Sequence, residues 1–314
     1  MDTTIKSKKK PTFLVKLIIF IFLLIVLDFG IGNLLKYLYF KQDSGSLYRT
    51  TYALDSTRAD ILIFGSSTAN HHYIPDLFEK AFHLPCYNTG RDGNTLLYSY
   101  AILKGVFKRY SPKIIILDIN EQEFITNQDS YDRVTSLLPY YENHPEVRDI
   151  VKLKSPFENI KLLSKIYPYN SLIFTICVGN ADFNKERITI KDQNGYVPLQ
   201  NTWKGPVTTD TVFKKYPLDS TKINIFESFV KECIQRNIYL YICLSPKFKV
   251  EKYVDSSIEI VKHISKEFNV PFFNYSTDTF FLHHGDLFHD VNHLNGNGAN
   301  IYSELVIRKI LQKQ

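Results

Sequence analysis

The sequence predicts an α/β domain, a three-layer sandwich around a central parallel sheet, preceded by one amino-terminal transmembrane helix. Three observations predict it. Short apolar runs alternate with amphipathic segments from about residue 60 onward, polar clusters fall just after those runs, and a long apolar stretch lies near the start.

The apolar stretch comes first. Phe13 to Leu27 reads FLVKLIIFIFLLIVL and continues past Asp28 as FGIGNLLKYLYF, close to the length a bilayer-spanning helix needs. Lys6, Lys8, Lys9, Lys10 and Lys16 crowd its leading flank and supply most of the net charge of +6, so the remainder is near neutral. A basic flank beside an apolar segment reads as membrane orientation, with the flank cytoplasmic and the carboxyl-terminal domain on the periplasmic or extracellular side. No basic and aromatic stripe accompanies it, which excludes a nucleic-acid partner. Lys16 can snorkel to the basic side. Asp28 is costly in hydrocarbon and is expected near the outer interface. No small-x-small cleavage site follows and no Cys is placed for lipidation, so an uncleaved signal anchor is expected rather than a signal peptide. The chain thus divides into a basic tail (1–11), an anchor (12–35), a juxtamembrane linker (36–56) and a body (57–314).

With 314 residues and 44% hydrophobic composition, the chain can bury one large core. Its first strand is DILIFG, residues 60–65, ending in a turn. A helix across Ile74 to Phe82, a strand in LPCYNTG, a helix in TLLYSYAILKGVFKRY and a strand in KIIILDIN follow. After a long middle section come a helix in FESFVKECIQRN, a strand in NIYLYICLSP, a helix in VDSSIEIVKHISKEF and a strand in VPFFNYS. Ligands of such sheets bind beyond the carboxyl ends of the strands, where Gly65-Ser66-Ser67, Asn88 to Asn94 and Asp118 to Glu121 fall. The middle section, 125–218, is expected to be either a cap or insertion shaping the substrate entrance or irregular structure packed on the sheet.

Ser67 stands at the turn from the first strand into a helix, a place that presents a hydroxyl as a nucleophile and equally suits an ordinary helix cap. A hydroxyl nucleophile needs a base and a group to orient that base. The carboxyl-terminal LFHDVNHLNGNGANIYSELVIRKIL offers both in Asp290 and His293. A turn-rich LNGNG follows, then an amphipathic helix turning Ala299, Tyr302, Val306 and Ile310 inward. His289 and His293 copy the spacing of a zincin motif with Asp290 in place of Glu, but Gly285 and the Asn295 to Gly298 run argue against the helix that motif needs. No metal or other cofactor is expected. Cys86, Cys177, Cys233 and Cys243 are scattered, without the spacing of a zinc site, and leave room for one or two disulfides. His71 and His72, and Arg91 and Asp92, lie near the expected site but need no function there. Asn274-Tyr275-Ser276 forms a glycosylation sequon.

These blocks carry a resemblance. FGSSTAN is similar to the first block of the SGNH (GDSL-like) hydrolases, RDGNT resembles their second, DIN their third and DVNHLN their closing DxxH. The resemblance spans about 61–310, and implies an SGNH, flavodoxin-like domain acting through an acyl-Ser67 intermediate, with His293 as base and Asp290 as its partner. It places Ser67 and Gly93 as backbone oxyanion donors and Asn120 as the side-chain donor. Ser66 stands where the family has Asp, a change shared with membrane-anchored relatives acting on cell-surface polymers, such as the DltD-like proteins. Asp118 stands where the third block has Gly, and a carboxylate there opposes an oxyanion unless it points away. The implied function is a membrane-tethered serine esterase or O-acyltransferase acting on an O-acyl group of a cell-surface or envelope glycan, with room for a membrane-protein partner. The alternative is a catalytically inactive SGNH-like domain that binds glycan or scaffolds an envelope assembly complex.

Overall fold

A computed structural model describes residues 12–181, 194–210, 217–251 and 256–313. The expected basic tail, 1–11, lies outside the described residues, as do 182–193 and 211–216 of the middle section.

Helix α1 (Phe13–Phe40) is long and apolar enough to cross a membrane. Its side chains from Phe13 to Leu27 are largely exposed, whereas Leu35 and Tyr39 near its far end are buried. The helix therefore runs on from the expected anchor into the protein core. The segment expected as a linker, 36–56, is folded rather than extended: it holds the end of α1 and helix α2 (Gly45–Asp55). Leu47, Ala53 and Leu54 of α2 are buried. Its mixed composition hid the packed face, which meets helix α5 (Leu96–Arg109) where Leu54 fills the space beside Gly105.

Seven strands are described: β1 (Ile61–Phe64), β2 (Cys86–Asn88), β3 (Ile114–Asp118), β4 (Thr208–Asp210), β5 (Tyr239–Leu244), β6 (Lys249–Glu251) and β7 (Phe272–Asn274). Five form a parallel sheet in the order β2-β1-β3-β5-β7, while β4 and β6 pair separately. Strands β1 and β3 are buried along their whole length, which explains their unbroken apolar runs. Side chains alternate between two cores. Leu62, Phe64, Ile115, Leu117, Leu240 and Ile242 pack with residues of α5 and α6 (Ser220–Gln235). Ile61, Ile63, Ile114, Ile116, Tyr241 and Cys243 pack with residues of α4 (Pro75–Phe82) and α8 (Gly296–Leu311). Helix α7 (Ser256–Glu267) precedes β7.

Ala299, Tyr302, Val306 and Ile310 of α8 are all fully buried, as their spacing predicts. The helix expected across Ile74 to Phe82 is α4, and a separate six-residue helix, α3 (Ser67–His72), carries the candidate nucleophile. All four cysteines are free, three buried and Cys177 exposed.

The middle section packs against the body in two places. Val134, Leu137, Leu138, Tyr140, Val147, Ile150 and Val151 join the same core as α5. The later part, 194–208, runs beside α3 and the carboxyl-terminal loop: Val197 N–H donates to Asn70 O (3.0 Å), Gly296 N–H to Leu199 O (2.9 Å) and Trp203 N–H to Phe288 O (2.6 Å).

Candidate active site

Strand order reverses around β1, which has β2 on one side and β3 on the other, so the crevice expected of an open parallel sheet lies beyond the ends of β1 and β3. Gly65 ends β1 with φ +149°, and a Cβ there would sit 2.7 Å from both Ala69 Cβ and Asp118 O. Only glycine fits this turn. Ser66 takes the cap position of α3, yet its hydroxyl donates to Asn120 Oδ1 (3.0 Å) instead of capping, and Ser67 opens the helix. Ser67 is thus not the helix cap that its position also allowed.

The Ser67 hydroxyl faces His293. Its Oγ lies 2.8 Å from Nε2, while Nδ1 lies 2.9 and 3.0 Å from the two Asp290 carboxylate oxygens. With Nδ1–H donated to Asp290, Nε2 is free to accept the Ser67 proton. Asp290 also accepts the N–H groups of Asn292 (2.8 Å) and His293 (3.0 Å). Partial burial pushes its pKa up, but these hydrogen bonds outweigh it and hold the carboxyl below its ordinary value. Asp290 is therefore ionised at neutral pH.

The loop that carries both residues is a tight turn closed by a Phe288–Leu294 bridge, with His289 N–H donating to His293 O (2.8 Å). The zincin spacing needs both imidazoles on one helical face, and no helix forms there. Asn295 caps α8 through the N–H groups of Asn297 and Gly298 (both 3.1 Å), and a Cβ on Gly298 would meet Leu287 O at 2.2 Å. The LNGNG run is thus a helix start under a close backbone crossing.

Two buried histidines flank His293 edge-on, His71 with ring centroids 5.6 Å apart and His72 at 6.2 Å. His72 Nε2 accepts the Leu294 N–H (2.9 Å), which places its own proton on Nδ1, and burial pushes its pKa well below the ordinary value. It is a neutral brace on the backbone next to His293. His71 donates from Nδ1 to Val197 O (2.7 Å) and meets Asp92 at 3.0 Å through Nε2. Arg91 turns away to Thr50 (2.5 Å) and the ring of Tyr98.

The three residues expected around an oxyanion fall at the start of α3 (Ser67), after β2 (Gly93) and after β3 (Asn120). Gly93 has φ +68°, and its carbonyl accepts Arg133 Nη1 (2.6 Å). Among the described residues, neither its N–H nor that of Ser67 has a protein acceptor. Asn120 is tied to the turn before α3 by Ser66 and gives one N–H to Glu123 (3.2 Å), which leaves the second uncommitted.

Asp118 is committed to three hydroxyl donors. Its Oδ1 accepts the Thr68 hydroxyl (3.0 Å), and its Oδ2 accepts those of Tyr73 and Ser245. The group is buried, which pushes its pKa up to about 6 against the opposing effect of the three hydroxyl donors. The conflict that a carboxylate in this position raises is met by three donors contributed from across the fold. Glu123, buried and raised by burial, holds Asn120 and the Leu96 N–H (2.8 Å). Sequence reasoning missed Glu123, Tyr73, Ser245 and the His71–Asp92 pair, because nothing in their local spacing announces these long-range contacts.

A cavity of about 680 Å³ lies at the amino end of β5, lined among others by Tyr239, Lys262, Phe268 and Pro271. Ser67, Asp290 and His293 lie at the other end of the sheet. No family model matches the chain, and no curated protein matches it.

Proposed function

We propose that the protein is a serine esterase or O-acyltransferase of the SGNH type, acting through an acyl-Ser67 intermediate on an O-acyl group of a cell-surface or envelope glycan. One observation carries the reading. Ser67 and His293, 226 positions apart, meet at 2.8 Å, with Asp290 on the far side of the imidazole. The strand order, 2-1-3-4-5 among the five strands of the main sheet, is the flavodoxin-like order and supports a three-layer sandwich of the SGNH kind.

In the proposed reaction His293 Nε2 takes the Ser67 proton as Oγ attacks the ester carbonyl carbon. The tetrahedral oxyanion is held by the N–H groups of Ser67 and Gly93 and the free Asn120 N–H. Collapse breaks the ester C–O bond, and His293 returns the proton to the leaving alkoxide. Water, deprotonated by His293, then attacks the acyl-serine to release a carboxylic acid; a sugar hydroxyl in its place yields a new ester. Asp290 holds the imidazole tautomer and stabilises the imidazolium that forms.

The apolar α1 supports a single-pass anchor, with the catalytic domain on the periplasmic or extracellular side. The tether keeps the site near membrane-proximal polymers. The test is acyl release by the full-length chain in nanodiscs, from an aryl acetate and from an O-acetylated polysaccharide. Wild type should turn over, and Ser67→Ala and His293→Ala should each lose ~10⁴-fold or more in kcat. Unchanged turnover in Ser67→Ala contradicts the mechanism. Glycan binding by a wild type that fails to turn over supports the inactive, binding alternative.

A further inference from the structure

Asp28 is four residues from the end of the stretch Phe13 to Gly32, whose 20 residues span about 30 Å, the thickness of a hydrocarbon core. A carboxylate about 6 Å inside that boundary needs donors. It has three. The Ser164 hydroxyl (2.5 Å) and the N–H groups of Lys165 (2.7 Å) and Ile166 (3.3 Å) all donate to it. One turn further on, a Cβ at Gly32 would lie 2.4 Å from the Lys165 carbonyl carbon. The chain at 164–166 is thus held at the depth of residues 28–32.

Around this contact the protein exposes large apolar side chains: Phe157 (62%), Ile160 (66%), Leu163 (78%) and Phe174 (80%). They lie on a segment that packs against α1, whose Val26, Leu27, Phe29 and Ile31 are exposed as well. A polar rim follows, where Lys36 and Lys165 pair with Glu142 at 2.7 and 3.0 Å. Further out, Asn180 donates to Leu38 O (2.9 Å), so the segment climbs along α1 toward the domain.

We propose that residues 157–174 form a monotopic shelf that enters the lipid leaflet beside the anchor, with Phe157, Ile160, Leu163 and Phe174 in the acyl-chain boundary and Lys36 and Lys165 at headgroup level. The inference rests on the reading that α1 crosses the membrane. Lipid is the occupant because the patch sits on a segment bound to α1 at Asp28 and Gly32, the depth at which a membrane-crossing α1 is in lipid. Elements of this kind bury their apolar side by about 5–10 Å, which matches the depth of Asp28. The shelf fixes the tilt of the domain on the membrane, and with it the height of Ser67 above the lipid.

The test uses the full-length chain in vesicles whose acyl chains carry bromine, a contact quencher of tryptophan. Trp203 is the single tryptophan and is replaced by Phe, and one tryptophan is then introduced by Phe22→Trp, Phe157→Trp or Phe174→Trp. All three replaced side chains are exposed, so the substitutions leave the core intact. Quenching at Phe157→Trp and Phe174→Trp of the same order as at Phe22→Trp is expected. Quenching at Phe22→Trp alone overturns the shelf and leaves the anchor standing. No quenching at any position overturns the anchor, and the shelf with it.

Discussion

The buried Asp118 carboxyl makes stability fall as pH rises, and Asp118→Asn isolates the effect. Its pKa is raised from 3.8 to about 6 in the folded protein, with burial as the main cause. The folded state therefore binds a proton that the unfolded chain has released. The contribution is fully present below pH 3.8 and is lost as pH rises through about 6, where both states are ionised. At about 1.36 kcal/mol per tenfold change in proton affinity, the loss is about 3 kcal/mol. For a domain of this size, that is about 6 °C in Tm. The assay is thermal unfolding of wild type and Asp118→Asn from about pH 4 to about pH 7, read as the difference between the two proteins. Glu123, also buried and raised, titrates in both and drops out. The amide must donate to Tyr73 or Ser245 where the carboxylate accepted, so the variant's absolute Tm carries a separate, pH-independent cost. The difference, variant minus wild type, should climb by about 6 °C across that range. A flat or falling difference refutes the placement of a buried carboxyl under the turn that carries Ser67.

Three further outcomes follow from the geometry. Asp290→Asn keeps the turn but disturbs the tautomer, and should lower kcat by ~10⁴-fold with little change in Tm, measured by ester turnover and melting. Asn120→Ala removes the side-chain donor of the proposed oxyanion site and should lower kcat by ~10²–10³-fold while leaving KM near wild type. Gly65→Ala places a Cβ 2.7 Å from Ala69 and Asp118 at a φ of +149°, and should cost about 3 kcal/mol or more, read by denaturant unfolding, together with activity.

The sheet was legible because β1 and β3 are buried on both faces, which leaves unbroken apolar runs such as IIIL in the sequence. The terminal helix was legible because its inward residues recur at helical spacing, and all four are fully buried. Asp290 and His293 were legible because one short turn positions both, so their spacing alone carries the geometry. The direction of Asp118 was not. Its donors Thr68, Tyr73 and Ser245 lie up to 127 positions away, and whether a carboxylate faces the core or the crevice depends on where those hydroxyls converge. The same holds for 36–56, whose buried face is defined only by its partner, down to the gap that Gly105 leaves for Leu54.

The most direct test of an activated Ser67 is covalent labelling of the full-length protein with a fluorophosphonate, the adduct then located by peptide mass. Labelling at Ser67, lost in both Ser67→Ala and His293→Ala while circular dichroism remains that of wild type, is the predicted result. Label that persists in Ser67→Ala, or a well-folded wild type that takes none, contradicts a serine nucleophile at this site.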